Sequence, residues 1–327
     1  MSRRNQQTGI IAFIAMLVLI FDSKTTLIGA KDGLALCLSV IIPSLFPFFL
    51  ISIILTDSLS GLSMAFLRPI GKLLGIPSGV EGILIPGFLG GYPAGAKGIS
   101  TAYRTGQIRK NEAERMLAFC NNAGPSFLFG MAGSLFEQAI VPWLLWGIHI
   151  LSAVMTGVLI SEKTEKTGSS NQKSGQSLST SMKAAVHITA CVCGWIVIFR
   201  VLIHILRRWI LWRLSPVLEI MIIGILELSN GCCELIRISS YDIRFIFCSV
   251  FLAFGGLCVT MQTASAANNL SLCWYFRGKL MQVLFSIIMS TAVVLDYGSI
   301  VIPVAIILII LLYKRKNRYS IPSLIGV

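Results

Sequence analysis

Apolar residues fill most of the chain in long blocks that short polar segments separate. A helix of ~20 apolar residues crosses the hydrocarbon core of a bilayer, and eight blocks are of about that length. In chain order the blocks are 8–29, 33–56, 115–136, 138–161, 184–206, 245–268, 280–296 and 298–313. The pattern therefore predicts an all-α polytopic membrane protein with about eight transmembrane helices.

Two further apolar segments, 80–103 and 217–238, are broken in the middle by glycine, proline or polar residues. The first contains PGFLGGYPAGAK at 86–97, in which two prolines and four glycines interrupt any helix. Such backbone survives at membrane depth only where protein or a water-filled cavity satisfies its polar groups. In transporters these interruptions mark ligand sites. We therefore expect two re-entrant helical hairpins.

The order of elements repeats on either side of a polar, Ser-rich linker. Each half is expected to contain a span, an interfacial or basic segment, a hairpin and a helix with a break. Gly91 lies 33 residues before Gly124, and Gly224 lies 32 residues before Gly256. The predicted units are an N-terminal transmembrane helix, a first repeat, a cytoplasmic linker, a second repeat and a basic cytoplasmic tail, at 1–32, 33–161, 162–183, 184–313 and 314–327.

Composition supports a membrane protein, because 13% of the residues are charged and the mean hydropathy is +0.81, whereas soluble domains carry about 25% charge. The net charge of +13 comes from loops and not from one patch, which favours topology control over nucleic-acid binding. With both termini cytoplasmic, 18 Lys and Arg lie on the cytoplasmic side, Lys279 among them, against seven opposite. The hairpins then open to opposite faces, an inverted repeat typical of alternating-access carriers.

The sequence offers little for other chemistry. Its nine cysteines lie mostly in apolar stretches and lack the spacing of a zinc site. It has no Ser-His-Asp set, HExxH or Walker loop, so we expect neither an enzyme nor a bound metal or cofactor. Coupling to a Na⁺ or H⁺ gradient is left open, as is assembly into a homo-oligomer.

Four interruptions should converge if the repeat is real: the two hairpin tips and a break in the helix after each. Half-helix ends and close backbone approach at glycine suit a polar ligand, and paired asparagines suit a planar one. The candidate substrate-binding residues are Gly90, Gly91, Tyr92, Gly95, Lys97, Asn121, Asn122, Ser126, Glu227, Ser229, Asn230, Gly255, Gly256 and Gln262.

Two charged candidates have alternative roles. Glu227 is the only acid in 220–233, and a charge at that depth is costly. It would bind a cation, carry a proton or contact substrate, or else cap the hairpin by accepting backbone N–H groups. Lys97 would pair with an anionic ligand or with Glu227, or else extend its ammonium to the interface.

Five segments along the chain belong together: PSLFPFF (43–49), GGYPAGAK (90–97), EAERMLAFCNNAGPSFLFG (112–130), LELSNG (226–231) and FGGLCVTMQ (254–262). In this order they resemble the YlbJ family of sporulation integral membrane proteins, also called stage V sporulation protein SpoVV, which carries the Gate, or nucleoside-recognition, domain. The resemblance is weaker from 184 to 245, where the family's Glu-x-Thr-x-Gly stands as Glu227 to Gly231.

The resemblance implies a two-hairpin fold similar to concentrative nucleoside transporters. It also implies a role in endospore formation, moving dipicolinic acid from the mother cell across the outer forespore membrane. The alternatives are a cation-coupled nucleoside or nucleobase carrier and a non-transporting sporulation membrane scaffold. A scaffold should tolerate substitutions at the hairpin tips, whereas a carrier should not.

Overall fold

The computed structural model describes residues 3–59, 64, 66–162 and 177–318, and this part of the chain contains helices and no strands. Most of the linker predicted at 162–183 and of the tail predicted at 314–327 lies outside the described residues. The sixteen helices are α1 (Arg3–Phe21), α2 (Ser23–Leu36), α3 (Ile42–Leu59), α4 (Arg68–Leu74), α5 (Leu84–Phe88), α6 (Ala94–Arg104), α7 (Lys110–Met116), α8 (Pro125–Leu135), α9 (Val141–Ile160), α10 (Leu178–Trp209), α11 (Pro216–Leu226), α12 (Leu228–Glu234), α13 (Tyr241–Phe254), α14 (Gly256–Ala267), α15 (Cys273–Val294) and α16 (Gly298–Arg318).

Among the described residues, five helical stretches are long and apolar enough to cross a membrane, which agrees with a multi-pass membrane protein. The expected eight spans are not all found. The stretch 8–29 is interrupted at Asp22, 115–136 is divided between α7 and α8, and α16 has a short apolar part, Gly298–Leu312. The five are Ser23–Leu55, Val141–Ile160, Leu178–Trp209, Tyr241–Ala267 and Cys273–Val294.

The two halves contain the same elements in the same order. Each has a long helix (α3, α10), a short segment, a pair of hairpin helices (α5 with α6, α11 with α12), a broken helix (α7/α8, α13/α14) and a final long helix (α9, α15). The halves are interlocked. The second arm of each hairpin packs against the second half of the broken helix from the other repeat, α6 on α14 and α12 on α8. The hairpin tips are thereby brought towards one another.

The first hairpin turns at Gly90 and Gly91, and Gly91 has a φ of +80° that glycine adopts without strain. α6 begins at Ala94, directly after the turn. Gly95 lies so close to the break between α7 and α8 that a Cβ there would be 2.1 Å from the carbonyl oxygen of Cys120. This backbone approach fixes the hairpin tip against the break.

The second hairpin is held at its base by a ring of four charged residues. Arg207 at the end of α10 pairs with Glu219 of α11 at 2.8 Å and with Glu234 of α12 at 2.6 Å. Arg237 pairs with the same two carboxylates at 3.1 and 2.9 Å. Both arms of the hairpin are therefore tied to α10.

The helices α2 and α10 pack closely through two glycines one turn apart. A Cβ at Gly29 would lie 2.9 Å from the Cα of Val201, and one at Gly33 would lie 2.9 Å from the Cα of Val197. Small residues at this spacing let the backbones of two membrane helices approach. This contact holds the N-terminal part of the chain against the second repeat.

Replacing Gly33 by leucine should separate α2 from α10 and lower the stability, because the side chain meets backbone and not a movable side chain. Overpacking of this kind costs about 1–3 kcal/mol or more. Thermal unfolding of the purified protein would measure the loss. Gly194→Leu on α10 is the matched control, since a Cβ there has no atom within 4 Å; equal losses in the two variants would contradict the packing argument.

Candidate functional site

The four interruptions expected to converge do so, around one narrow cavity between the hairpins. Tyr92 comes from the first hairpin, Gly124 from the first break, Glu227 from the second hairpin and Gln262 from the helix after the second break. The backbones also meet directly, since a Cβ at Gly256 would lie 3.2 Å from the amide nitrogen of Leu228. The predicted convergence is confirmed.

The central cavity is narrow in this conformation. Its volume is about 380 Å³, and the centre of a water molecule can occupy about 30 Å³ of this space. A water needs roughly 10–15 Å³ of such volume, so the space holds a few waters and is too small for an aromatic ligand. Binding of a larger ligand requires one of the hairpins to move.

Glu227 lies on the wall of this cavity and also caps a helix. Its backbone is extended between α11 and α12, and its carboxylate accepts hydrogen bonds from the amides of Ser229 at 3.0 Å and Asn230 at 2.7 Å. Arg200 of α10 donates to the side-chain oxygen of Asn230. The Glu227 carboxylate therefore caps α12 and also lines the cavity. Arg200 supplies a positive charge next to the tip of the second hairpin.

Lys97 does not line the central cavity. It lies with Ser52, Pro86, Thr101 and Ile188 on a second cavity of about 610 Å³ between α3, the first hairpin and α10. The centre of a water molecule can occupy about 110 Å³ of this second cavity. Lys97 and Glu227 line different cavities and form no ion pair among the described residues, so one of the alternatives considered for Lys97, pairing with Glu227, is not found.

Asn121 and Asn122 are fully buried in the first break and bond to protein groups. Asn121 accepts from the amide of Ala96 at 3.2 Å and donates to Thr263 at 2.9 Å. Asn122 donates to the carbonyls of Gly87 at 3.0 Å and Phe119 at 2.8 Å. They join the break to the first hairpin and to α14, and the paired amides do not face the central cavity.

Lys279, assigned by the charge count to a cytoplasmic loop, is buried in α15 with 1% of its surface exposed. Its ammonium donates to Tyr92 Oη, to the carbonyl of Asn121 and to Gln282 Oε1, each at 3.0 Å. This correction lowers the cytoplasmic count to 17. Sequence reasoning missed Lys279, although Lys279, Gln282, Ser286 and Ser290 form a buried polar stripe along one face of α15 that could have revealed it.

The remaining candidates lie at the hairpin tips and helix breaks, in different settings. Ser229 is on its wall, and the Ser126 hydroxyl is buried without a partner. Gly90 packs on Ser52, with 2.9 Å between a Cβ there and the hydroxyl oxygen, and a Cβ at Gly255 would lie 3.3 Å from Tyr92 Oη. The glycines therefore permit close packing at the tips and breaks.

Part of the chain is similar to one known membrane protein. The chain is 35% identical over 136 residues to the sporulation integral membrane protein YlbJ of Bacillus subtilis (strain 168). The match covers 40% of this chain and 33% of that protein, so it spans about a third of the relative's length. No family model matches the chain. No solved structure matches it.

Replacing Asn122 by alanine should destabilise the junction of break and hairpin. The carbonyls of Gly87 and Phe119 would lose a donor, and Gln282 would lose the acceptor that it contacts at 3.1 Å. Each buried group left unsatisfied costs about 1–3 kcal/mol. Ser126→Ala is the control, because the Ser126 hydroxyl has no partner; a thermal unfolding measurement that ranks the two variants equally would contradict the network.

Proposed function

We propose that this protein is a multi-pass membrane carrier of a small planar anion that works by alternating access between its two hairpins. The observation that carries the proposal is the narrow cavity where two hairpin tips and two helix breaks meet. Carriers bind ligands near midplane at such interruptions. Re-entry of the hairpins from opposite faces of the membrane, and a fold related to the Gate domain, are part of the proposal.

Similarity to a sporulation integral membrane protein supports a role in sporulation, and within this proposal the substrate is dipicolinate and the location is the outer forespore membrane. Dipicolinate is a planar dianion, so it needs positive charge along its path. Lys97, on the second cavity beside the first hairpin, would meet the anion first. Arg200, bonded to Asn230, would offset the charge of Glu227 once the anion reaches the centre.

A nucleoside is the second candidate, favoured by the lining of the central cavity. Glu227 lines that cavity, and among the described residues no Lys or Arg does. A neutral ligand with hydrogen-bond donors suits such a site better than a dianion does. Uptake specificity separates the two candidates.

Proteoliposomes containing the purified protein should take up labelled dipicolinate above the level of empty liposomes, and unlabelled dipicolinate should compete better than uridine. The reverse order of competition would replace the leading substrate by a nucleoside. Spores from cells lacking this protein should contain less dipicolinate, and complementation should restore the content. A normal dipicolinate content in these spores would refute the proposed transport of dipicolinate.

Gly91→Val separates a carrier from a scaffold. The substitution places a β-branched residue at a φ of +80°, 3.3 Å from the amide of Gly124, which is costly for any residue but glycine. We expect uptake to fall to the level of empty liposomes while the protein is still recovered from the membrane. A variant that transports as the wild type does would indicate that the hairpin tip has no part in transport.

A further inference from the structure

The three contacts of Lys279 match the ammonium form of its side chain. The carbonyl of Asn121 and Oε1 of Gln282 accept and cannot donate. The hydroxyl of Tyr92 donates to the carbonyl of Leu252 at 3.2 Å, so its oxygen is an acceptor towards Lys279. Gln282 donates through Nε2 to Asn122 Oδ1, which leaves Oε1 facing the lysine. Three acceptors require three N–H donors, and only the ammonium form has three.

Neutral oxygens and aromatic faces surround this buried charge. The ammonium lies 4.9 Å from the ring centroid of Tyr92 and 5.8 Å from that of Tyr275. In the described part of the chain no carboxylate lies within ion-pair distance of it. A carbonyl from unwound backbone, a side-chain amide oxygen and a hydroxyl oxygen are the kinds of ligand that hold a bare monovalent cation at a broken membrane helix.

The site joins three elements that would move relative to one another in a carrier. Tyr92 belongs to the tip of the first hairpin, Asn121 to the break between α7 and α8, and Lys279 and Gln282 to α15. A cation at their centre therefore stabilises the closed position of the first hairpin. The second hairpin has its own cationic partner, Arg200, through Asn230.

We propose that Lys279 is a tethered cation: its ammonium occupies a monovalent-cation site formed by Tyr92 Oη, the Asn121 carbonyl and Gln282 Oε1. The first hairpin consequently closes on the break without taking up Na⁺ at this position. The proposal goes beyond the transport function, since it assigns a cation site and the side chain that fills it. It would hold for any substrate.

Thermal unfolding of the full-length protein in detergent tests this assignment, with NaCl compared with choline chloride at equal ionic strength. The wild type should melt at the same temperature in both salts, because its site is filled. Lys279→Ala should melt several degrees lower in choline chloride, and NaCl should raise its melting temperature in a saturable manner, because binding to the folded state alone stabilises it. Methylammonium chloride should act as NaCl does.

Arg277→Ala is the matched control, because it removes an exposed cation from the same helix two residues away. It should show no difference between NaCl and choline chloride. A folded Lys279→Ala protein with equal melting temperatures in the two salts overturns the proposal. Recovery by methylammonium but not by Na⁺ also overturns it, because the pocket would then need N–H donors and not a cation.

Two further measurements keep the test decisive if Lys279→Ala does not fold. Lys279→Ser, which adds a hydroxyl ligand, should give the same Na⁺-specific rise. The second measurement leaves Lys279 in place. If NaCl raised the melting temperature of the wild type in a saturable, Na⁺-specific manner, and Tyr92→Phe abolished that rise, the proposal would be overturned. None of these readings uses uptake, so the cation site and the transport function can fail independently.

Discussion

Gly95→Ala should abolish most of the folded population, although it adds a single methyl group. A Cβ at this position would lie 2.1 Å from the carbonyl oxygen of Cys120 and 2.9 Å from the Cα of Gly87. Both atoms are backbone, so the clash is relieved only by moving α6 away from both the break and α5. Overpacking costs about 1–3 kcal/mol where side chains can adjust, and we expect about 3 kcal/mol or more here.

Gly98→Ala on the same helix is the control. The atom nearest to a Cβ added at Gly98 would be the Cγ of Pro86 at 3.5 Å, which is an ordinary van der Waals contact. Alanine also favours a helix over glycine by about 1 kcal/mol, so this variant should be as stable as the wild type or more so. Thermal unfolding and the yield of monodisperse protein would measure both variants. Similar yields and melting temperatures for the two would contradict the close approach of α6 to the break.

The hairpins and breaks were predictable from the sequence because glycine, proline and asparagine interrupt helices for local reasons. Asn122 bonds to the carbonyl of Phe119, three residues earlier, which satisfies backbone that the break exposes. The extent of the first break was not predictable. α7 ends at Met116 and α8 begins at Pro125, because the hairpin supplies partners such as Ala96 that only the folded chain brings near.

The position of charged side chains was harder to predict than that of the breaks. Counting loop charges treats a lysine near the end of an apolar block as exposed, and Lys279 lies seven residues inside α15. Two of its three acceptors come from Tyr92 and Asn121, more than 150 residues away. Lys97 likewise lies at the predicted hairpin, yet the direction of its helix turns it to the second cavity. Tertiary packing decides both cases.

Glu227→Asn should leave the protein folded and reduce uptake to the level of empty liposomes. Asparagine is as good an N-cap residue as aspartate, so one of the two backbone bonds to Glu227 should be retained. Loss of an N-cap costs about 1 kcal/mol, and we expect the melting temperature to fall by no more than this loss of stability would cause. The negative charge on the cavity wall is removed, and with it any cation or proton that accompanies the substrate.

Glu219→Gln is the matched control, since Glu219 belongs to the same hairpin but pairs with Arg207 and Arg237 at its base. It should lose some stability and keep its uptake. Glu227→Asp retains both the cap and the charge, and should recover part of the uptake that Glu227→Asn loses. If Glu227→Asn transports as the wild type does, the carboxylate serves only to cap α12, and its place on the cavity wall follows from where the hairpin turns.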